Sequence, residues 1–209
     1  IQSTFTKFPY LRKVWQRNTE EERLLGVSLT GIYDNRITCT TGENLNATLS
    51  RLREVSRSTN EDYARLLGIP KSAAITCVKP SGTVSQLVDS ASGIHPRHSK
   101  FYIRRVRGDK KDPLSQFLIE QGVPNEDCVY KPTQTVVFSF PQKAPDGLTR
   151  ADVTPISHLE LWLAYQRAWC EHKPSVTISV EEKDWPSVGA FVWDHFDEMS
   201  GVSFLPYDG

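Results

Sequence analysis

The stretch of residues 73–86 constrains this 209-residue chain more than any other part of its sequence. Its apolar beginning predicts a buried strand, which ends at Pro80 because proline has no N–H to donate to a sheet. Ser81 and Thr83 are residue types that begin helices, and Gly82 lets another group approach the backbone closely. Free N–H groups at a helix start bind anions, so the sequence predicts a phosphate-binding turn.

A capped helix start without a ligand is a second interpretation of the same residues. The pattern G-x-x-x-x-G-K-[ST] of a Walker loop does not occur, and no G-x-G-x-x-G follows a predicted strand. Lys79 and the hydroxyls of the turn would add side-chain donors to a bound phosphate. The residues alone leave both interpretations open.

Alternation of strands and helices predicts the fold class. Strands are expected near residues 26–32, 73–79, 135–140, 175–180 and 202–205. Helices are expected from Thr6, over Glu20–Leu24 behind a Thr19–Glu22 capping box, over 83–90, 113–121 and 155–171, and from Asp184. Residues 44–67 are expected to form one long helix or two helices joined near Ser58. This order predicts an α/β fold with a parallel sheet or barrel segment that binds ligands at the carboxyl ends of its strands. Loops of interest are therefore expected at 30–31, 80–83 and 140–142.

Charge and hydropathy exclude several classes of protein. Lys and Arg number 25, and so do Asp and Glu, which argues against a general binder of nucleic acid or membrane surfaces. There is no signal peptide and no apolar run long enough to cross a bilayer, so a cytoplasmic location is expected. The basic run at 100–111 is interpreted as a solvated edge strand, with binding of RNA or a protein partner as the alternative.

The cysteines give no metal or redox motif. Cys39, Cys77, Cys128 and Cys170 are scattered without a C-x-x-C pair, which argues against a zinc site and a dense disulfide framework. Cys77 lies in an apolar strand and Cys170 ends an aromatic helix. Both are interpreted as small buried core residues.

Several segments carry a resemblance to a known family. Lys79–Gln86, continued by Ser92–Arg97, resembles the phosphate-binding segment of ribonucleotide reductase large subunits. The segments that resemble the monomeric, adenosylcobalamin-dependent ribonucleoside-triphosphate reductases are Asn18–Gly31, Glu171–Ile178, His195–Asp197 and Gly201–Pro206. These matches follow the family's order along nearly the whole chain.

The resemblance implies that residues 1–209 form a single partial segment of a catalytic barrel, the later half of a ten-stranded α/β barrel. It implies an oxidoreductase that makes deoxyribonucleotides for DNA replication under allosteric control. The 2′-hydroxyl of a ribonucleoside triphosphate is replaced with hydrogen, using a cysteine thiyl radical generated by adenosylcobalamin and electrons from a thioredoxin-type reductant. The phosphates of the substrate would be bound by donors at Ser81, Gly82, Thr83, Val84 and Ser85.

The sequence departs from the family pattern where the chemistry occurs. The Cys-x-Glu finger loop, the C-terminal Cys-x-x-Cys tail, the allosteric region and the first half-barrel are all expected outside residues 1–209. No catalytic residue, metal ligand or cobalamin contact is therefore assigned in this chain. The N-terminal half of the enzyme is an expected partner, and the chain alone is expected to be inactive.

Three alternatives stay open beside this interpretation. The first is a ribonucleotide reductase of another class, with a diiron partner or a glycyl radical. The second is a non-catalytic module that binds nucleotides or phosphate. The third is binding of RNA or a partner through the basic run, which would show steep salt dependence.

Overall fold

The computed structural model describes residues 1–207, which form two compact units. The first unit consists of residues 1–97 and 148–207, and the second of residues 98–147. The expectation of one barrel segment over residues 1–209 stays a prediction, and its last two residues lie outside the described chain. No helix of the described residues is long and apolar enough to span a bilayer.

The strands are β1 (Val27–Ser28), β2 (Thr76–Cys77), β3 (Phe101–Asp109), β4 (Asn125–Asp127), β5 (Thr135–Lys143), β6 (Thr177–Val180) and β7 (Ser203–Pro206). The α-helices are α1 (Lys13–Glu22), α2 (Arg36–Cys39), α3 (Glu43–Leu67), α4 (Val84–Leu87), α5 (Pro113–Glu120), α6 (Pro155–Ala168) and α7 (Trp185–Asp194). Short 3-10 turns lie between several of them.

The first unit contains two parallel strand pairs and most of the helices. β1 pairs with β2, and β6 pairs with β7. Ile178 and Val180 point from one face of β6 into the core, whereas Thr177 and Ser179 lie on its other face, because side chains alternate along a strand. The predicted parallel pairing is confirmed in this unit.

Helix α6 forms the centre of the core of the first unit. Thr154 caps it by accepting a hydrogen bond from the Ser157 N–H, and proline occupies its first position, where no N–H is required. Trp162 and Tyr165 on this helix are fully buried. Burial of a large apolar side chain contributes about 1.5–3 kcal/mol, so this helix holds the surrounding segments together.

The second unit is an antiparallel sheet in the order β3-β5-β4, with α5 between β3 and β4 in the chain. The strand predicted at 135–140 therefore exists but is not part of a parallel sheet. The loop predicted at 140–142 is wrong, because Pro141 lies within β5 opposite Ile103. β3 is an edge strand of this sheet, as the basic run predicted.

Several helix boundaries differ from the sequence-based expectation. The first helix begins at Lys13 rather than Thr6, and the separate helix at Glu20–Leu24 is absent because α1 continues to Glu22. Thr19 lies inside α1, where its hydroxyl donates to the Trp15 carbonyl, so the capping box is wrong. The helix expected at 83–90 is only Val84–Leu87, and the one expected at 155–171 ends at Ala168.

Candidate phosphate-binding site

The turn at residues 80–85, here called the phosphate turn, directly follows β2 and is held in shape by serines. The Ser81 N–H donates to Ser92 Oγ at 2.7 Å. The Ser85 N–H donates to Ser81 Oγ at 2.9 Å, and the Ser85 hydroxyl donates to the Ser81 carbonyl. Ser85 is fully buried. The Ser81 N–H therefore bonds to the neighbouring loop, and both donors of Ser85 bond within the turn.

The middle of the phosphate turn faces solvent. Gly82, Thr83 and Val84 are exposed, and the amides of Thr83 and Val84 donate to no residue within 1–207. A Cβ placed on Gly82 would meet no atom within 4 Å. Because α4 has only one turn, its dipole is small, and the affinity for an anion would come from the turn's own amides.

Lys79 lies beside the turn, but its ammonium group is engaged elsewhere. Its Nζ donates to the Lys173 carbonyl at 2.8 Å and to Ser175 Oγ at 3.0 Å. Two of its three N–H donors are therefore occupied, and the expectation that Lys79 adds a donor to a bound phosphate stays a prediction. Its side chain ties the end of β2 to the segment that leads into β6.

The loop at residues 89–97, here called the 89–97 loop, packs directly against the phosphate turn. A Cβ on Gly93 would lie 3.0 Å from the Lys79 carbonyl oxygen, and the φ of Gly93 is +58°, so both the space and the backbone favour glycine. The Gly93 N–H donates to Thr30 Oγ1 at 2.9 Å, and the Gly31 N–H donates to the Ala91 carbonyl at 2.7 Å. The predicted loop of interest at residues 30–31 is thus bonded to the 89–97 loop.

Arg97 fixes the end of the 89–97 loop. It is 8% exposed, and its Nε lies 3.3 Å from a carboxylate oxygen of Asp34. Its two terminal nitrogens donate to the side chain of Asp89 at 3.1 Å and to the Asp89 carbonyl at 2.6 Å. The other carboxylate oxygen of Asp34 accepts from the Ala91 N–H at 2.6 Å. A buried cation with these partners locks the loop in one conformation.

His95 connects the phosphate turn to β6. Its Nδ1 lies 3.0 Å from the Ser92 carbonyl, and its Nε2 lies 3.0 Å from the Thr177 N–H. A carbonyl only accepts and an N–H only donates, so Nδ1 carries the proton and the ring is neutral. Burial lowers the pKa of His95, against the opposing effect of its hydrogen bond to Ser92. The Ser81–Ser92–His95–Thr177 chain of hydrogen bonds therefore crosses from the turn to the strand.

A cavity of about 410 Å³, here called the β6 cavity, lies on the polar face of β6. His95, His158, Thr177 and Ser179 line its wall, and charged residues of the 150–155 and 181–184 segments line its rim. This volume is in the range of small-ligand sites. It shares no lining residue with the phosphate turn.

Glu171 and His172 attach the end of α6 to the first strand pair. Glu171 Oε2 accepts from the Ile75 N–H at 2.9 Å, and His172 Nε2 lies 2.7 Å from the Leu25 carbonyl. The segments at 18–31 and 171–178, which both carry the family resemblance, are thereby joined. The fold brings together what the sequence separates by up to about 150 positions.

Cys77 and Cys170 are buried core residues and not reactive thiolates. Cys77 and Cys170 are buried, as expected, and burial raises the pKa of Cys77 and raises that of Cys170 to about 12. Both are therefore thiols rather than thiolates at neutral pH. Among residues 1–207 no group of three or more His, Cys, Asp or Glu side chains could hold a metal ion.

The basic run on β3 is partly neutralised by its own unit. Arg105 forms an ion pair with Glu126, and Lys110 forms one with Asp127 at 2.6 Å. These pairs reduce the positive potential that an RNA partner would require. The solvated edge strand is the interpretation that the geometry favours.

Sequence reasoning missed the side chains that hold the site in shape. The sequence alone predicts no role for Arg97, Asp34 or His158. Arg97 and His95 nevertheless lie in Ser92–Arg97, a segment that resembles the family. A single sequence carries no signal that pairs Arg97 with a carboxylate 63 positions away. Ser81 and Gly82 are predicted as site residues because the types of their immediate neighbours are enough to indicate the turn.

Comparisons with known proteins identify relatives over nearly the whole chain. A protein of Dictyostelium discoideum named probable adenosylcobalamin-dependent ribonucleoside-triphosphate reductase is 33% identical over 213 residues, which cover 96% of this chain and 26% of that protein. An adenosylcobalamin-dependent ribonucleoside-triphosphate reductase of Euglena gracilis is 29% identical over 197 residues, covering 92% of this chain and 27% of the relative. No protein-family model matches the chain.

A solved structure shows the same fold. The crystal structure of a B12-dependent (class II) ribonucleotide reductase superposes with a TM-score of 0.79 and 25% sequence identity, covering 94% of this chain and 31% of that one. The α/β prediction is confirmed, and the structure covers only part of the reductase barrel. The chain thus spans about a quarter to a third of the length of the relatives that it matches.

Proposed function

Because the chain is homologous to a segment of the adenosylcobalamin-dependent ribonucleoside-triphosphate reductases, we propose that it is the substrate-binding part of such an enzyme. The complete enzyme would reduce ribonucleoside triphosphates to 2′-deoxyribonucleotides. The observation that carries this proposal is the phosphate turn, whose exposed middle lies at the carboxyl end of β2. Ligands of α/β folds bind at this end of the strands.

In this proposal the phosphate turn holds the triphosphate of the substrate. The amides of Thr83 and Val84 donate to phosphate oxygens, and the hydroxyl of Thr83 adds a third donor. Hydrogen bonds to a charged group contribute about 1.5–3 kcal/mol each. Ser81 and Ser85 act indirectly, because their hydrogen bonds fix the backbone that presents the exposed amides.

The 89–97 loop and its partners keep this arrangement rigid. Arg97 is anchored on Asp34 and Asp89, and Gly93 is in contact with the backbone of Lys79. A turn that is already in its binding conformation loses little entropy when it takes up a ligand. These residues therefore position the phosphate site without contacting the substrate.

Adenosylcobalamin is the proposed cofactor, and when bound it supplies the radical that starts the reduction. The volume of the β6 cavity lies in the range of small-ligand sites, and its lining holds both charged residues and the uncharged Thr177 and Ser179. The radical cysteine, its glutamate and the cysteine pair that a thioredoxin-type reductant renews are supplied by the remaining part of the enzyme. A cytoplasmic location is part of the same proposal.

The test is the substitution Gly82→Val in the complete reductase. A Cβ at this position meets no protein atom within 4 Å, so the fold is expected to be preserved, and the proposal expects the valine side chain to hinder the approach of a phosphate to the exposed amides. Loss of one charge-assisted hydrogen bond weakens binding of the ribonucleoside triphosphate by roughly tenfold to 150-fold. Isothermal titration calorimetry measures this change, with Gly82→Ala as the control of smaller size and smaller effect.

An unchanged affinity in the Gly82→Val variant would remove the phosphate turn from the site. Binding of nucleotides by this chain with no cobalamin-dependent reduction by the complete protein would favour the non-catalytic nucleotide-binding module instead. Equal affinity for inorganic triphosphate and ribonucleoside triphosphate would show that the turn alone provides the binding.

A further inference from the structure

A second cavity, here called the Arg23 pocket, lies in the first unit between the start of the chain, the end of α1 and the helix α3. Its volume is about 220 Å³. Among the described residues, none lines both this pocket and the β6 cavity, and none of the phosphate turn lines it. Sites for drug-sized ligands have volumes of about 300–1,000 Å³, so the Arg23 pocket suits a ligand smaller than a nucleotide.

Arg23 supplies the only charge among the described residues that line this pocket. Its Nε donates to the Glu20 carbonyl at 3.1 Å, and its guanidinium carbon lies 5.7 Å from the centre of the Phe8 ring. Its Nη1 is buried and donates to no residue within 1–207. A buried donor without an acceptor is costly, and more so when the donor is charged, so this atom points to an anionic ligand.

The backbone at Arg23 supports a role for its side chain. Arg23 follows the last residue of α1 in the left-handed conformation, with a φ of +50°, at a position where glycine is usual. An arginine here carries a backbone cost that glycine would avoid. Binding of a ligand by the guanidinium group would offset that cost.

Two serine hydroxyls of the pocket add further donors. The amide nitrogen of Asn60, a buried residue, donates to Ser3 Oγ at 3.3 Å and to Ser72 Oγ at 3.0 Å, so each serine already accepts a hydrogen bond. Neither serine hydroxyl donates to any part of the chain that the structure describes. The Asn60 side-chain oxygen accepts from the Ser72 N–H at 2.9 Å. The unused groups of the pocket are therefore donors, which match the acceptor oxygens of a carboxylate.

The remaining wall of the pocket is apolar. It is formed by the side chains of Phe5, Phe8, Leu24, Leu25 and Ile69. Phe5 is 68% exposed and Leu24 is 53% exposed, so a ligand with an apolar body would remove part of this surface from water. A free phosphate would gain nothing from these side chains, and one arginine would balance only part of its charge. The pocket therefore suits a carboxylate on an apolar body better than a phosphate.

We propose that the Arg23 pocket binds a carboxylate group carried on an apolar body, with Arg23 Nη1 and the hydroxyls of Ser3 and Ser72 donating to its oxygens. Two sources share this chemistry. One is a small carboxylic acid from solution. The other is an acidic side chain, flanked by apolar residues, in the part of the reductase that this chain does not include. Either one provides the acceptor that the buried guanidinium nitrogen requires.

The experiment titrates the complete reductase with benzoate, a carboxylate on an apolar ring, and with benzamide, its uncharged counterpart. Calorimetry compares the unsubstituted protein with Arg23→Gln and with the control Arg17→Gln. Arg17 lies on the same helix, its 3.7 Å pair with Glu21 is exposed, and it does not line the pocket. If the source is a small carboxylic acid, the affinity for benzoate is expected to fall at least about tenfold in Arg23→Gln and to stay unchanged in Arg17→Gln. Benzamide is expected to bind at least about tenfold more weakly than benzoate, because it lacks the charge.

A crystal structure of the complete reductase grown with benzoate identifies the source of the carboxylate. Benzoate bonded to Arg23 Nη1, together with binding in calorimetry, assigns the pocket to a small carboxylic acid. An aspartate or glutamate of the remaining enzyme bonded to the same atom, with no benzoate binding, assigns it to an internal contact. Any other content of the pocket would overturn the proposal, and so would benzoate that binds in the crystal only. Equal affinities of Arg23→Gln and the unsubstituted protein for benzoate, or equal affinities for benzoate and benzamide, would also overturn it.

Failure of this proposal can be distinguished from failure of the proposed function. Arg23→Gln is expected to leave the affinity for a ribonucleoside triphosphate unchanged, and Gly82→Val is expected to leave the affinity for benzoate unchanged, because Gly82 does not line the Arg23 pocket. A protein that binds benzoate through Arg23 but reduces no nucleotide would contradict only the proposed function. An active reductase that holds no carboxylate at Arg23 would contradict only the proposal for this pocket.

Discussion

The two units hold their polar groups in different ways. In the first unit, buried side chains bond to partners distant in the sequence, such as Arg97 to Asp34 and His158 to Ile94. In the second unit, order comes mainly from the antiparallel ladders, and the ion pair of Arg105 with Glu126 lies about half exposed. The candidate site lies in the unit whose polar groups are buried and fixed.

This difference has an energetic consequence. A buried polar group that loses its partner costs more than the bond contributed, because no water replaces the partner. An exposed pair that loses one member is solvated again at little cost. Substitutions of similar chemistry should therefore have large effects in the first unit and small effects in the second.

The largest effect is expected for Arg97→Leu. Removal of the guanidinium leaves Asp34, whose side chain is 21% exposed, without its cation and should destabilise the first unit by about 3 kcal/mol. All five tryptophans lie in the first unit, so urea unfolding followed by tryptophan fluorescence reports on it alone.

Arg105→Leu is the matched substitution in the second unit. Its pair with Glu126 is exposed, so a loss below about 1 kcal/mol is expected, measured by hydrogen exchange of the β3–β5 amides. Equal losses for the two arginines would show that burial does not distinguish the units.

The next largest expected effect is a dependence of the stability of the first unit on pH. His158 has a pKa of about 4 in the fold, lowered by burial, against a reference value of 6.5. Below pH 6.5 His158 binds a proton in the unfolded chain but stays neutral in the folded protein. The contribution of His158 to the free energy of unfolding is therefore largest above pH 6.5 and falls as the pH drops towards 4. About 1.6 kcal/mol should be lost between pH 6.5 and pH 5.

The substitution His158→Gln separates proton uptake by His158 from proton uptake by its neighbours. The ring of His158 makes edge contacts with Tyr33 at 5.5 Å and His95 at 6.3 Å, and His95 also has a lowered pKa. A glutamine amide can still donate to the Ile94 carbonyl but does not titrate. The slope of stability against pH should decrease in this variant, and an unchanged slope would assign the proton uptake to another group.

The same contrast explains which features the sequence predicts. The strand and turn at 73–86 are encoded by neighbouring residues, and so is α6, which begins at a threonine cap and a proline. The parallel sheet predicted from alternating strands and helices is wrong for the second unit. Helix α5 lies between β3 and β5 in the chain, but these two strands are antiparallel partners. Strand order depends on pairing between distant segments, which periodicity within one segment does not encode.

The supports of the site lie beyond local prediction for the same reason. Gly93 was recognised as part of a family-like segment, but its contact with Lys79 depends on how two loops meet. The exposure of Gly82 and the burial of Ser85, three positions apart, are likewise set by the fold. Residue types identified the turn, whereas tertiary structure decided which of its donors face outward.

A smaller effect than that of Arg97→Leu is expected for Gly93→Ala, which tests how tightly the 89–97 loop supports the phosphate turn. The added Cβ would lie 3.0 Å from the Lys79 carbonyl oxygen at a φ of +58°, so a loss of about 1–2 kcal/mol is expected. Gly68→Ala has a similar φ of +65° but open space, and should lose only the backbone part of this energy, about 1 kcal/mol.

Gly82→Ala completes the series, because it has neither strain nor a close neighbour and should change stability by less than about 0.5 kcal/mol. Urea unfolding of the three variants gives the order directly. If Gly93→Ala costs no more than Gly68→Ala, the loop yields to the new methyl group, and the phosphate turn is not held as rigidly as its hydrogen bonds imply. If it costs more and also weakens binding of the triphosphate, the contact at Lys79 transmits the position of the loop to the exposed amides.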